Sequence, residues 1–230
     1  MSRRPPPRKR PATKNRSPRR RPTGLYVALG VIVVVGIAAV AAFAAGGGSN
    51  TKQAKGANGQ VLLDYGKVSV SGSQLQPFDE SNAATGDGDP IPTITGESPD
   101  RAPVTVSPTG GKQVIVVGAP WCPHCNNELP PLARALASGA LGDIKLTLVV
   151  TSQQPNAPHW PPGDWINNTL HWPAAKAPVI LDDKEGTAAA AVNTQAFPYF
   201  IFVDSQGKVG SRATGEIGLD AFRQHYADLH

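Results

Sequence analysis

The sequence predicts an α/β domain with a mixed central sheet flanked by helices, preceded by one N-terminal transmembrane helix. Two observations predict the domain. Strand-like and helix-like segments alternate along the second half of the chain, and two strand-like segments follow one another near its end. Alternating elements closed by a hairpin are typical of a mixed sheet with helices on both faces. A third observation, an uncharged apolar run near the N-terminus, predicts the transmembrane helix.

The apolar run, residues 24–45, is long enough to cross a membrane. About 20 such residues in a helix span a hydrocarbon core of roughly 30 Å. Ten Lys and Arg residues and no acidic residue precede the run. Because positive flanks stay on the cytoplasmic side, we expect residues 1–23 to be a basic, Pro-rich cytoplasmic tail and residues 24–45 an uncleaved signal-anchor. A cleaved signal peptide, with its cleavage site near Phe43, is the alternative.

The positive charge of the chain is confined to its tail. The chain has 22 basic and 17 acidic residues, and removal of the ten basic residues of the tail leaves the remainder net acidic. An acidic domain argues against nucleic acid as a partner. The tail by itself fits a disordered topology determinant or a patch for anionic lipid or nucleic acid.

Residues 46–90 are rich in Gly, Ser, Asn and Asp and are predicted to be a flexible linker and extension. Within this stretch, a short apolar pattern at 61–70 indicates a strand or two. The ordered domain is predicted to span residues 91–230. Its first strand lies at 104–106, and the β-branched run at 113–117 predicts a buried central strand. Later strands are predicted at 144–151, 179–181, 199–203 and 208–213, and helices at 123–137, 161–170, 186–192 and 218–229.

The two cysteines of the chain lie together in the stretch Trp121-Cys122-Pro123-His124-Cys125. Cysteines at this spacing can form a disulfide within one helical turn, which indicates redox chemistry. Cys122 would lie at the N-terminus of the predicted helix, where free N–H groups and the positive end of the dipole stabilise a thiolate. We therefore predict that Cys122 is the nucleophile and that Cys125 resolves the mixed disulfide.

Two neighbouring side chains are expected to tune the pair. A protonated His124 beside the Cys122 sulfur would stabilise the thiolate and make the couple more oxidising. Glu128 lies three residues beyond Cys125, on a helix face that can approach the sulfurs. It is a candidate proton shuttle for Cys125, with an exposed helix residue as the alternative.

Zinc and a purely structural disulfide are alternative interpretations of the pair. Structural zinc usually has four ligands, and the chain has no second pair of cysteines. A four-residue loop constrains the unfolded chain only weakly. We therefore expect no metal site and no cofactor. A Cu(I)-binding metal-delivery module is a second hypothesis for the function, because soft thiolates suit Cu(I).

The stretch of residues 104–132 resembles the active-site region of TlpA/ResA-type thioredoxin-like proteins, which are membrane-anchored extracytoplasmic thiol–disulfide oxidoreductases. The matching residues are Trp121, Cys122, Cys125, Glu128 and Pro130. The resemblance extends over about residues 91–229 and implies a thioredoxin-like fold. It also implies protein disulfide or dithiol substrates and a membrane electron-transfer partner.

The dipeptide Phe197-Pro198, ahead of a predicted strand, is similar to the cis-proline loop of the same family. In the family this loop faces the cysteines and pairs with the substrate backbone. The resemblance thus implies that Phe197 and Pro198 bind substrate, together with Trp121, Pro123 and His124. A proline that merely starts a strand is the alternative.

Two departures from the family pattern matter. Thioredoxins place a buried Asp six residues before the first cysteine, and Val116 stands there in this chain, which favours Glu128 as the proton carrier. The Pro123-His124 dipeptide is similar to DsbA-like oxidases and not to ResA-like reductases, so both directions of electron flow stay open. The layout looks bacterial, and we expect an extracytoplasmic domain on a single-pass anchor in the cell membrane.

Overall fold

The computed structural model describes residues 53–82, 84 and 86–230. The predicted tail, residues 1–23, and the predicted signal-anchor, residues 24–45, lie outside the described residues. In the described part, none of the helices has the length and apolar character that crossing a membrane requires.

The strands of the described residues form one mixed sheet. Its eight strands are β1 (Ser69–Ser71), β2 (Thr93–Glu97), β3 (Pro103–Val106), β4 (Gln113–Gly118), β5 (Leu146–Val150), β6 (Val179–Leu181), β7 (Tyr199–Val203) and β8 (Val209–Thr214). The order across the sheet is β1-β2-β6-β5-β4-β7-β8, with β3 paired to β2. The pairs β4–β5 and β5–β6 are parallel, and the other pairs are antiparallel.

Helices cover both faces of this sheet. They are α1 (Pro123–Ser138), α2 (Pro162–Asp164) with its π-helical continuation Trp165–Thr169, α3 (Thr187–Ala191) and α4 (Gly218–Ala227). Side chains of α1, α4 and the π-helical turn join the core on one face, and α3 joins the core on the other. The predicted α/β architecture with a mixed, helix-flanked sheet is therefore confirmed.

Strand β4 is buried along its whole length, and this explains the unbroken apolar run from Val114 to Val117. Val114 and Val116 belong to the core beneath α1, whereas Ile115 and Val117 belong to the core on the α3 side. A strand with both faces covered has no polar side to present to water. The strand ends at Gly118, directly before the turn that leads to the cysteines.

The structure differs from expectation in the stretch predicted to be a flexible linker and extension. From residue 53 onward this stretch packs against the domain, and Ala54, Leu62 and Leu75 are buried. The Leu75 N–H donates to the carbonyl of Ala191, 3.0 Å away, beside α3. This stretch is rich in Gly, Ser, Asn and Asp, so its composition indicated a linker.

Strand β2 is an element that the sequence patterns did not indicate, whereas β1 lies at the end of the short apolar pattern at 61–70. The sequence of β2, Thr-Ile-Thr-Gly-Glu, buries alternate residues, but its central glycine weakens the strand pattern. Packing explains this glycine, because a Cβ on Gly96 would lie 2.5 Å from the side chain of Ile180. The position therefore needs a residue without a side chain.

Candidate active site

The cysteine pair lies at the junction between the end of β4 and the start of α1. Cys122 is the N-cap of α1, with an extended backbone (φ −77°, ψ 119°), and its Sγ accepts the N–H of Cys125 at 3.4 Å. The sulfur thus takes the place of the oxygen of a usual capping residue. Pro123 occupies the first turn, where its missing N–H leaves no hydrogen bond unmade. The positive end of the dipole of this 16-residue helix adjoins the sulfur.

The two sulfurs differ in access. Both cysteines are free thiols, and Cys125 has no exposed surface whereas Cys122 keeps 4% of its surface exposed. Burial raises the pKa of the Cys125 thiol, and the adjacent Cys122 sulfur raises it further. The Cys125 sulfur lies beside the end of β4, where a Cβ on Gly118 would be in van der Waals contact with it at 3.6 Å. An incoming protein therefore meets Cys122 first.

A loop with a cis-proline lies against the exposed side of Cys122. The Phe197–Pro198 peptide bond is cis, and the Cys122 sulfur lies 3.6 Å from the carbonyl oxygen of Phe197. The rings of Trp121 and Phe197 meet edge to face at 5.9 Å, and Trp121 Nε1 donates to the Ser152 carbonyl at 2.7 Å. The structure thus brings Trp121, Phe197 and Pro198 together around the Cys122 sulfur.

Glu128 is buried on α1, one turn beyond Cys125. Its Oε1 accepts the N–H of Gly218, the first residue of α4, at 2.9 Å. Burial raises the pKa of the Glu128 carboxyl, the bond from Gly218 opposes this, and the carboxylate of Glu216 adds to it. A carboxyl with a raised pKa is suited to accept and return a proton near neutral pH.

Replacing Glu128 by Gln tests this carboxyl as the proton carrier for Cys125. Gln keeps an oxygen for the Gly218 N–H but takes no proton, so we expect the resolving step to slow by about 100-fold near pH 7. Rapid mixing with a disulfide substrate, followed by quenching and mass analysis, measures that step. The matched control is Glu185→Gln, at an exposed position, and it should leave the rate unchanged.

The raised pKa of Glu128 also predicts how the Gln variant affects stability. A carboxyl whose pKa is higher in the folded state binds its proton more tightly there. We therefore expect the free energy of unfolding of the wild type to fall, relative to that of Glu128→Gln, as pH rises. The fall should start in the usual carboxyl range and end once the pH exceeds the raised pKa of Glu128. Urea unfolding at a series of pH values checks this, and an opposite slope would contradict the raised pKa.

His124 lies at the rim of the site. Its side chain is 67% exposed, and its Nδ1 lies 2.7 Å from Oε1 of Glu216 in the connection between β8 and α4. Glu216 was not among the residues predicted from the sequence. The residues that the Cys-x-x-Cys spacing singles out come from one short segment, whereas this contact joins residues 92 positions apart.

Asn126 is a second residue that the sequence did not single out. Its Nδ2 donates to the carbonyls of Pro120 and Cys122, at 3.0 and 2.9 Å, and its Oδ1 accepts Nε1 of Trp165 at 2.6 Å. Trp165 is fully buried and packs in the core beneath α1. One amide thus ties the turn that carries Cys122 to the core. An Asn on a helix gives no signal of such a role unless the fold is known.

Replacing Asn126 by Ala should loosen this turn. The change removes three hydrogen bonds and leaves the buried indole N–H without its acceptor, so we expect a loss of about 1–3 kcal/mol in the free energy of unfolding. The exchange rate should fall as well, because the Cys122 carbonyl loses its tether. Urea unfolding and a turnover assay measure both effects. Asn168→Ala, at an exposed amide of the π-helical turn, is the control and should change neither quantity.

Within the part of the chain that the structure describes, no three side chains of His, Cys, Asp or Glu gather into a group that could hold a metal ion. The described site brings together the two thiols, the N-terminus of α1, the cis-proline loop and the carboxyl of Glu128.

A buried strand that leads to a Cys-x-x-Cys pair at a helix N-terminus, opposite a cis-proline, defines a thiol–disulfide oxidoreductase with a thioredoxin-like fold. The sequence profile described as Redoxin matches residues 86–223, more than half of the chain, and the chain belongs to this family. No curated protein sequence matches the chain significantly.

Several solved structures resemble the chain over somewhat more than half of its length. DsbF from MTB, in its mixed oxidized and reduced forms, is 21% identical over 59% of this chain and 94% of its own, with a TM-score of 0.48. StoA from Bacillus subtilis is 19% identical over 56% of this chain and 92% of its own, with a TM-score of 0.46. The exposed lipoprotein thioredoxin Etrx1 from Streptococcus pneumoniae is 22% identical over 60% of this chain and 99% of its own, with a TM-score of 0.47.

Proposed function

We propose that this domain exchanges thiols and disulfides with protein substrates on the outer side of the cell membrane, with Cys122 as nucleophile and Cys125 as resolving residue. The observation that carries the proposal is the position of the Cys122 sulfur. It caps the N-terminus of α1 and lies 3.6 Å from the Phe197 carbonyl beside the cis-proline. The helix N-terminus and a backbone edge for the substrate thus both adjoin the Cys122 sulfur, which an incoming protein can reach.

In the reducing direction, the Cys122 thiolate attacks one sulfur of a substrate disulfide. A bond forms between Cys122 and that sulfur, the substrate S–S bond breaks, and the second substrate sulfur leaves as a thiolate that takes a proton. Cys125 then gives up its proton and attacks the Cys122 sulfur. The Cys122–Cys125 disulfide forms and the first substrate sulfur leaves as a thiol. Two electrons pass to the substrate, and the oxidising direction is the reverse of these steps.

The cis-proline loop is proposed to hold the substrate chain during the attack. The carbonyl of Pro198 already accepts the N–H of Gly215 at 2.9 Å, whereas the carbonyl of Phe197 faces the reactive sulfur. An extended substrate segment could pair with the backbone here as an added strand. The half-buried rings of Trp121 and Phe197 offer apolar contact on the same side.

The buried Cys125 thiol needs a base when it becomes a nucleophile, because burial raises its pKa. Glu128 is the proposed base. Its carboxyl lies on the same helix, and burial raises its pKa, so it binds a proton more readily than an exposed carboxylate does. The carboxyl would take the Cys125 proton as the intramolecular disulfide forms and return it in the reverse reaction.

Measurement of exchange tests the proposal directly. The domain, reduced by a small dithiol, should accelerate reduction of a protein disulfide, and the oxidised domain should accelerate oxidation of a protein dithiol. Its reduction potential decides which direction dominates. A potential of about −120 mV marks an oxidant, and a potential of about −270 mV marks a reductant. Equal rates with and without the domain in both assays would overturn the proposal.

The location outside the membrane is supported by the apolar run at 24–45 and by the basic residues before it. An oxidising exterior is also where disulfides persist. Proteinase treatment of intact cells carrying a C-terminal tag tests the location. We expect the proteinase to remove the C-terminal tag, while the rest of the chain stays in the membrane fraction. Protection of the tag in intact cells, with loss only after lysis, would place the domain inside.

A further inference from the structure

The connection between β5 and α2, residues 151–161, lies beside the candidate site. Nε1 of Trp121 donates to the Ser152 carbonyl at 2.7 Å. The carbonyl of the next residue, Gln153, accepts the hydroxyl of Tyr65 at 3.0 Å. Because the Cα atoms of consecutive residues are about 3.8 Å apart, Trp121 and Tyr65 are anchored at adjacent points of one connection. Tyr65 comes from the segment before β1, so only folding brings it close to the site.

Trp160 belongs to the same connection and adds a further ring. The centres of the Tyr65 and Trp160 rings are 6.0 Å apart. Tyr65, Trp121 and Trp160 are each half-buried, so part of every side chain stays open to solvent, and we call these three side chains the aromatic surface. The aromatic surface begins beside the Cys122 sulfur, because Trp121 meets the Phe197 ring at 5.9 Å and the Phe197 carbonyl lies 3.6 Å from that sulfur.

The charged groups nearest to Tyr65 are of both signs. Nζ of Lys184 lies 5.5 Å from the centre of the Tyr65 ring, and Asp64 precedes Tyr65 in the chain. Lys184 is exposed, and a cation–π contact at an exposed site is weak, so it does not keep another group from the ring. We therefore expect apolar contact, and not net charge, to decide what binds here.

We propose that the aromatic surface binds an apolar or aromatic side chain of the substrate, close to its reacting cysteine, while the substrate backbone lies along the cis-proline loop. This inference rests on the proposed function and names the class of substrate, which is an extended or unfolded polypeptide. Folded proteins bury many of their large apolar side chains, whereas unfolded chains expose them. Tyr and Trp offer a large contact area and lose little conformational entropy on binding.

The geometry of an extended chain predicts which substrate positions matter. A strand advances about 3.3 Å per residue, and residues two positions apart point to the same side, about 6.6 Å from one another. This spacing is close to the distances of 5.9 and 6.0 Å between ring centres in the region. The reacting cysteine faces the site, so the residues two positions from it also face the site. We therefore expect an apolar residue to be favoured there and not next to the cysteine.

The test compares Tyr65→Ala with the wild-type protein on three disulfides. Two are peptides with Phe either two residues or one residue from the reacting cysteine on both sides, and the third is oxidised glutathione. We expect the wild type to have a kcat/KM about fivefold to tenfold higher for the first peptide than for the second, through a lower KM. Tyr65→Ala should lose this preference and exchange with glutathione at the wild-type rate.

Two further variants serve as controls. Tyr226 on α4 is also half-buried and also has a lysine, Lys112, over its ring, at 4.5 Å, so Tyr226→Ala should keep the preference. Tyr65→Phe keeps the ring and loses the bond to Gln153, and it should keep the preference as well. Loss of the preference in Tyr65→Phe, or an equal loss with glutathione in Tyr65→Ala, would overturn the inference, because the effect would then not come from the ring.

A binding measurement that needs no exchange separates this inference from the proposed function. The first peptide, with serine in place of its cysteine, is titrated into the wild-type protein while the indole N–H signals are followed by NMR. The signals of Trp121 and Trp160 should shift. That of Trp172, whose Nε1 donates to the buried Ala177 carbonyl at 2.8 Å, should not. Shifts without any disulfide exchange would refute the proposed function alone, whereas unchanged Trp121 and Trp160 signals would refute the inference.

Discussion

Cys122→Ala is expected to lower thiol–disulfide exchange to the rate of the uncatalysed reaction, a loss on the order of 10³-fold or more. Two properties of Cys125 explain why it cannot substitute for Cys122. Cys125 has no exposed surface, and burial raises the pKa of its thiol, so it does not replace Cys122 as the attacking group. Turnover of a model disulfide substrate measures the effect. Retention of substantial turnover would contradict the assignment of Cys122 as nucleophile.

Cys122→Ser is the matched variant for this experiment. The Cys122 sulfur also caps α1 by accepting the Cys125 N–H, and loss of a cap costs about 1 kcal/mol. A serine oxygen restores the cap but is not a nucleophile toward disulfides. We expect Cys122→Ser to unfold at wild-type urea concentrations and to remain as inactive as Cys122→Ala. If Ser restored activity, the loss in the Ala variant would be structural.

Cys125→Ala is expected to stop the reaction halfway. Cys122 still attacks the substrate disulfide, but no second thiol resolves the bond, so a covalent complex between domain and substrate accumulates in about one-to-one ratio. The chain has only these two cysteines, so a mass increase after exposure to substrate reports on Cys122 alone. Non-reducing electrophoresis and intact-mass measurement detect the complex, and added dithiol should release it.

The same experiment on Cys122→Ala is expected to give the opposite result. Cys125 lies beneath the end of β4, near Gly118, and has no exposed surface that a protein disulfide could reach. No covalent complex should form with this variant. Complexes in both variants, or in neither, would contradict the division into an attacking and a resolving thiol.

The centre of the fold and of the site could be predicted from the sequence because their signals are local. The β-branched residues at 114–117 form a continuous run because both faces of β4 are covered. The Cys-x-x-Cys spacing, with Pro123 after the first cysteine, describes a helix start, and a helix start is where a thiolate is stabilised. These features need only neighbouring residues to be recognised.

The edges of the fold could not be predicted, because their stability comes from contacts between distant residues. Residues 53–82 look like a linker in composition, yet single apolar side chains such as Leu62 and Leu75 are buried against the domain. Gly96 in β2 looks unfavourable for a strand until the side chain of Ile180 is seen to fill its Cβ position. Neither contact leaves a periodic pattern.

Two thiols at the spacing of a redox pair, at the start of a helix that follows a buried strand, can be recognised in the sequence alone. The groups around the thiols became known only with the fold. Folding places the cis-proline loop against the Cys122 sulfur, joins Asn126 to Trp165 and pairs Glu216 with His124. A helix start needs only neighbouring residues, whereas each of these contacts joins groups from remote parts of the chain.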